Sequence, residues 1–263
     1  DGIVTAPVIS ALSKKNVLDF INENQTLELS EINEKFNSNE GYLNVALRVL
    51  ASQGFLDYHL DNETDVVKIS TNSKTKDAFS HQNIYCDLAE FLADSDVINS
   101  KELTENLCKK WILIFEKYKS FLNENAEESS LNYQIQKHIE GALVGPIIIK
   151  LGMSGMFHKY FMEASFSAEE FHKNPHYFEI ILNYLSEIGW FSKKGNNFQF
   201  TETGLFFARR ATAYGVTVSY LPMFSKLDNL IFGKASEIRE IEDGEDEIHV
   251  NREMNVWGSG GAH

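Results

Sequence analysis

Side chains able to do chemistry are sparse along these 263 residues. Eight histidines give the first test. In "FHKNPH", His172 and His176 have the i,i+4 spacing that would put two imidazoles on one helical face. Pro175 breaks that helix and no cysteine or carboxylate completes a ligand set, so no metal site is assigned. His81, His138 and His158 stand alone and read as surface or hydrogen-bonded core residues. The two cysteines, Cys86 and Cys108, are far apart and read as buried thiols. There is no G-x-S-x-G, phosphate-binding loop, H-E-x-x-H or C-x-x-C sequence, and no catalytic residue is assigned.

Two stretches remain. In "WGSGGAH", Gly258, Gly260 and Gly261 would let a backbone approach an anionic ligand closely. A cofactor loop also needs a hydrophobic strand before it and a helix after it, so this stretch reads as a turning linker and the cofactor-binding residues stay unknown. In "TAYGVTVSYLPMF", Tyr214, Tyr220 and Met223 surround a β-branched run interrupted by Pro222. They are the candidate substrate-binding residues, able to line an apolar pocket with hydroxyl handles; packing in a core is the competing reading.

The elements that would position them come from an internal repeat. "GYLNVALRVLASQGFLDY" (41–58) and "HYFEIILNYLSEIGWFSK" (176–193) superpose at a shift of 135 residues, placing Leu47 on Leu182, Gly54 on Gly189 and Phe55 on Trp190. Upstream the same shift pairs Phe36 with Phe171, Asn39 with Asn174 and Ser30 with Ser165; Pro7 and Pro146 pair at 139. In each copy a short helix starts near a serine, Ser30 or Ser165/Ser167. Apolar residues at three- and four-residue spacing (Leu43, Ala46, Leu47 and Leu50; Phe178, Ile181, Leu182 and Leu185) then predict a longer helix. A glycine able to adopt the left-handed conformation ends it, and a hairpin follows, turning at Gly195–Asn196 in the second copy. That order is a winged helix. Between the copies, Leu107, Trp111, Ile114, Phe115 and Tyr118 form one helical stripe. After the second wing, "GLFFARRATAYGVTVSYLPMFSKLDNLIFG" predicts a helix, a turn at Gly215 and a helix ending near Gly233. The expected fold is mainly α with small β-hairpins, a tandem winged-helix-like pseudo-repeat joined by helices. Expected boundaries are 1–80 for the first repeat, 81–135 for connecting helices, 136–233 for the second repeat with its aromatic helical segment, and 234–263 for an acidic linker.

Composition narrows the partners. At 43% apolar residues the chain buries at least one substantial core. The densest apolar run, 141–157, is broken by Gly145, Pro146 and Lys150, so no membrane span is expected. A net charge of −14 disfavours phosphate backbones. The third helices agree: the first copy carries only Arg48, the second no Lys or Arg but Glu179 and Glu187, which leaves the wing pair Lys193 and Lys194. Nucleic acid is not an expected partner. Two separated thiols fit a reducing cytoplasm, and the start "DGIVTAPV" suggests an excised domain.

Taken together, "DGIVTAPVISAL", "YGVTVSYLPMFSKLDNLIFG" and "VNREMNVWGSGGAH" resemble the N-terminal lid region of the S-adenosylmethionine-dependent C-methyltransferases of polyketide synthase initiation modules and related free-standing enzymes. The resemblance covers essentially the whole chain. It implies a helical lid ahead of a Rossmann-like catalytic core that binds S-adenosylmethionine and, in some members, a divalent metal, the substrate being an acyl group on a carrier protein. "WGSGGAH" would then lead into that core. The core's cofactor loop, ribose-binding acid and metal ligands have no counterparts here, so the resemblance implies a lid inactive alone, with its own methyltransferase core and an acyl carrier protein as partners. The alternatives are the lid or dimerisation domain of a small-molecule O-methyltransferase and a tandem winged-helix interaction or regulatory protein.

Overall fold

Glycine ends the long helix of each repeat, and the two endings are the same. A computed structural model describes residues 1–157, 164–238 and 249–260. In the first copy α1 (Gly2–Lys14) and α2 (Val17–Asn24) precede β1 (Thr26–Glu28), α3 (Leu29–Phe36), α4 (Glu40–Ser52), β2 (Asp57–Leu60) and β3 (Val67–Ser70). α4 buries Leu43, Ala46, Leu47 and Leu50 and stops at Gly54, whose φ is +72°. Phe55 N–H then donates back to Leu50 O at 3.0 Å, the bond that closes a left-handed helix ending.

The chain continues through α5 (Thr75–Ser80), α6 (Gln82–Leu92), α7 (Ser95–Asn99), α8 (Glu105–Leu122) and α9 (Leu131–Met153). The second copy then has β4 (Phe166–Ser167), a 3-10 turn (Ala168–Glu170), α10 (Pro175–Glu187), β5 (Phe191–Lys194) and β6 (Asn197–Phe200). α10 buries Phe178, Ile181, Leu182 and Leu185 and stops at Gly189 (φ +89°), where Trp190 N–H donates to Leu185 O at 2.8 Å. Both three-stranded antiparallel sheets have the same order, β1-β3-β2 and β4-β6-β5. After each hairpin a threonine hydroxyl ties the next helix to the backbone of the glycine ending: Thr75 Oγ1 donates to Phe55 O at 2.7 Å, and Thr201 Oγ1 to Gly189 O at 2.5 Å. The mainly α, tandem winged-helix architecture is as expected.

The match of Ser30 to Ser165 is corrected. Ser30 lies inside α3, whereas Ser165 precedes β4. The true equivalents are Glu28 and Ser167, each an N-cap in a reciprocal capping box, with Glu31 and Glu170. They keep the shift that relates Pro7 to Pro146, as do Leu27 and Phe166, which face Ile69 and Phe198 in their sheets. The change of shift falls within the short helix, eight residues in the first copy and a three-residue 3-10 turn in the second.

By contact density the chain forms two units. The first comprises Asp1–Glu90, Ala126–Ile139 and Pro222–His249, and the second Phe91–Asn125, Glu140–Leu221 and Val250–His263. The segment expected as connecting helices is thus divided between the units: Tyr85 and Leu88 are buried in the first, and α8 belongs to the second. On α8, Leu107, Trp111 and Phe115 are buried as the stripe predicts, while Ile114 and Tyr118 are half-buried. Trp111 stacks on Phe115 with ring centroids 5.1 Å apart and donates its indole N–H to Leu143 O at 3.0 Å. Cys108 is buried as expected; Cys86 is only half-buried.

After the second wing come α11 (Glu202–Ala208), α12 (Ala211–Ser219), α13 (Leu221–Phe224) and α14 (Leu227–Phe232), the last stopping at Gly233 as expected. Gly215 does not turn the chain. It sits inside α12, packed against α15 (Arg252–Gly260). The linker expectation for "WGSGGAH" is corrected over Trp257–Gly260, which is helical; Gly261, His263, the acidic run from Arg239 to Glu247, and His158 lie outside the described residues.

Candidate functional site

A winged helix that reads DNA presents its third helix to a groove and its wing to a phosphate. In the second copy the wing carries Lys193 and the exposed Lys194, and α10 carries Glu179. Lys193 Nζ, in the wing, is 2.9 Å from Glu179 Oε1 and 2.8 Å from Asn183 Oδ1, both on α10, so this cation is spent neutralising its own third helix. In the first copy α4 exposes Arg48, and Asn44 accepts a hydrogen bond from Tyr58 at 3.0 Å.

The second unit contains a cavity of about 540 Å³ lined by Glu102, Glu105, Lys150, Ser154, His172 and Phe178 among others. Lys150 is 1% exposed, and its Nζ donates to Val97 O at 3.0 Å and to Ser100 O. These carbonyls lie at the end of α7, where helix geometry leaves acceptors unfilled. Burial holds the ammonium down at about 8, against the opposing pull of Asp96. The sequence marked Lys150 only as a break in an apolar run; a lone lysine in "PIIIKLG" was the available signal. His172 is committed to backbone, donating from Nε2 to Leu103 O at 2.7 Å and accepting at Nδ1 from Asn174 N–H at 3.0 Å. Cys108 Sγ lies 3.9 Å from His172 Nε2, but burial, then Glu105, pushes its thiol up to about 12, too high for a nucleophile at neutral pH. Cys108 does not line the cavity itself. His176 is exposed on α10 beyond Pro175 and lines a separate hollow of about 270 Å³ with Glu179.

In the first unit His138 is 3% exposed. Its Nε2–H donates to Gln53 Oε1 at 3.0 Å, so Nδ1 accepts the Tyr85 hydroxyl at 2.9 Å. Burial, helped by the N-terminal ammonium, holds its pKa down at about 4. A depressed folded-state value means that the unfolded chain binds the proton first, so stability is lost as pH falls from about 6.5 to 4, by about 3 kcal/mol. Urea midpoints across that window should show this slope, and His138→Leu should flatten it.

Tyr214, on α12, is 36% exposed. Tyr220 caps the C-terminus of the same helix and is half-buried; Met223 is half-buried in α13. None of the three lines either cavity described above. Among the described residues neither phenol makes a hydrogen bond. Tyr214 and Tyr220 belong to the second unit and Met223 to the first.

Residues 140–234 match the family model described as the AprA winged helix domain. The second repeat is a winged helix. Residues 1–58 match the model described as the AprA N-terminal domain, which takes in α1 to α4 and the start of β2. No curated protein matches the chain. The AprA winged helix match includes Lys150, Lys193, Tyr214, Tyr220 and Met223, while Glu102 to Glu105 of the cavity lie outside it. Among the described residues no helix is long and apolar enough to cross a membrane.

Proposed function

We propose that this chain is the N-terminal lid of an S-adenosylmethionine-dependent C-methyltransferase that acts on an acyl group held by a carrier protein in polyketide biosynthesis. The observation that carries this reading is the succession of the two AprA domain matches in one chain. The pairing of Lys193 with Glu179 supports the accompanying view that nucleic acid is not a partner. A lid of this kind excludes water from the reaction and shapes the acyl pocket. Tyr214, Tyr220 and Met223 are the residues we assign to substrate contact, each through its own exposed or half-buried side chain.

The described residues do not fit the cofactor or the metal. Gly258 sits in a helix where α12 already occupies the space its missing side chain would fill, so its backbone is closed to a nucleotide. Among the described residues no group of three or more His, Cys, Asp or Glu stands together to hold a metal. S-adenosylmethionine, and a divalent metal where one is used, would belong to a catalytic core beyond these residues, and no membrane partner is proposed. A lid of this type is placed in the cytoplasm. Calorimetric titration of this chain with S-adenosylmethionine, and separately with duplex DNA, should give no binding heat; a micromolar Kd for either ligand refutes the corresponding part of the reading.

A further inference from the structure

Gly258 makes a close approach between α15 and α12. An ideal Cβ on Gly258 would lie 2.8 Å from Val216 N, 2.9 Å from Gly215 C and 3.0 Å from Thr212 O, all backbone atoms of α12. One on Gly215 would lie 3.0 Å from Gly258 Cα. One on Gly152, in α9, would meet the Trp257 indole at 2.7 Å. Three glycines thus admit α15 to a socket on the second unit that a larger side chain would close.

The helix is anchored at its start. Asn251 N–H donates to Ser219 O at 2.7 Å, and Asn251 Nδ2 to Ile98 O at 2.9 Å, while Asn251 Oδ1 accepts from Met254 N–H at 3.0 Å. Asn255 Nδ2 donates to Ser219 Oγ at 3.0 Å. The Lys101–Glu253 ion pair is exposed and adds little. Yet the buried part of α15 is small, only Met254 and Gly258. A helix of nine residues is too short to persist by itself in water. We propose that residues 251–260 are a detachable latch, which folds into a helix only on docking in the Gly152–Gly215 socket and fastens the chain at its C-terminal side to the second unit. The latch stands whether or not the methyltransferase reading does, because it rests on contacts within the second unit alone.

Hydrogen exchange of the 263-residue chain, read by mass spectrometry, tests it. In the unaltered chain the amides of α15 should exchange together and faster than those of α8, the core helix of the same unit. Gly258→Val should speed exchange over 252–260 by about tenfold or more and leave α8 unchanged. Asn251→Ala, which removes the anchor without adding bulk, should act in the same direction. The proposal is overturned if α15 is as protected as α8 in the unaltered chain, if neither variant speeds its exchange, or if α8 loses protection together with α15, since α15 would then be part of the unit's core.

Discussion

Replacing Gly204 with alanine should unfold the second winged helix. Gly204 is the third residue of α11, where its N–H donates to the Thr201 cap at 3.0 Å. An ideal Cβ there would lie 2.0 Å from Trp190 O and 2.9 Å from Trp190 C. That carbonyl cannot swing aside cheaply, because it already accepts from Thr201 N–H at 3.0 Å. The clash is of a Cβ, which has no rotamers, against backbone, so no rotamer change relieves it, and the cost should be about 4 kcal/mol or more. Gly141 is the control: in α9, a Cβ there would meet nothing within 4 Å. Gly141→Ala should stabilise the chain by roughly 0.5–1 kcal/mol through helix propensity alone. Denaturant unfolding of both variants reads the contrast. A Gly204→Ala protein within about 1 kcal/mol of the parent would show that α11 does not sit against Trp190 as described.

What could be read from the sequence was local. Leu47, Leu182, Gly54 and Gly189 announce their helices and helix ends because stripe and cap are written in neighbouring residues. Serine identity is a poor guide to the short helices: in the first copy the cap is Glu28, a residue type that gives little N-terminal signal. Gly215 read as a turn because the reason for its lacking a side chain, Gly258, lies far along the chain. "WGSG" reads as a linker for the same reason, since the backbone that Gly258 approaches, at Gly215, is distant in sequence. Lys150 reads only as a break in an apolar run because its acceptors, the Val97 and Ser100 carbonyls at the end of α7, are backbone groups that no side-chain pattern reveals. Tyr214, Tyr220 and Met223 stand out by residue type and by Pro222 beside them; the structure adds phenols without partners among the described residues, but no shared cavity.

The second large effect concerns catalysis. If these residues are a lid, removing them should leave cofactor binding to the catalytic core intact and remove the enclosure in which the acyl group reacts. Loss of substrate positioning alone costs on the order of 100-fold in rate, and water admitted to the site adds to that. Within the lid, Tyr220→Phe and Met223→Ala should lower methyl transfer while leaving the melting temperature unchanged, because both side chains are half-buried. Folding loss with normal specific activity in the soluble remainder would instead assign them to packing. The most direct measurement is methyl transfer from labelled S-adenosylmethionine to an acylated carrier protein, by the parent polypeptide and by its catalytic core lacking residues 1–260, with cofactor affinity determined for both. The predicted result is equal cofactor affinity and methyl transfer reduced by about 100-fold or more in the shortened protein; methyl transfer undiminished without residues 1–260 would contradict the assignment of this chain as a lid.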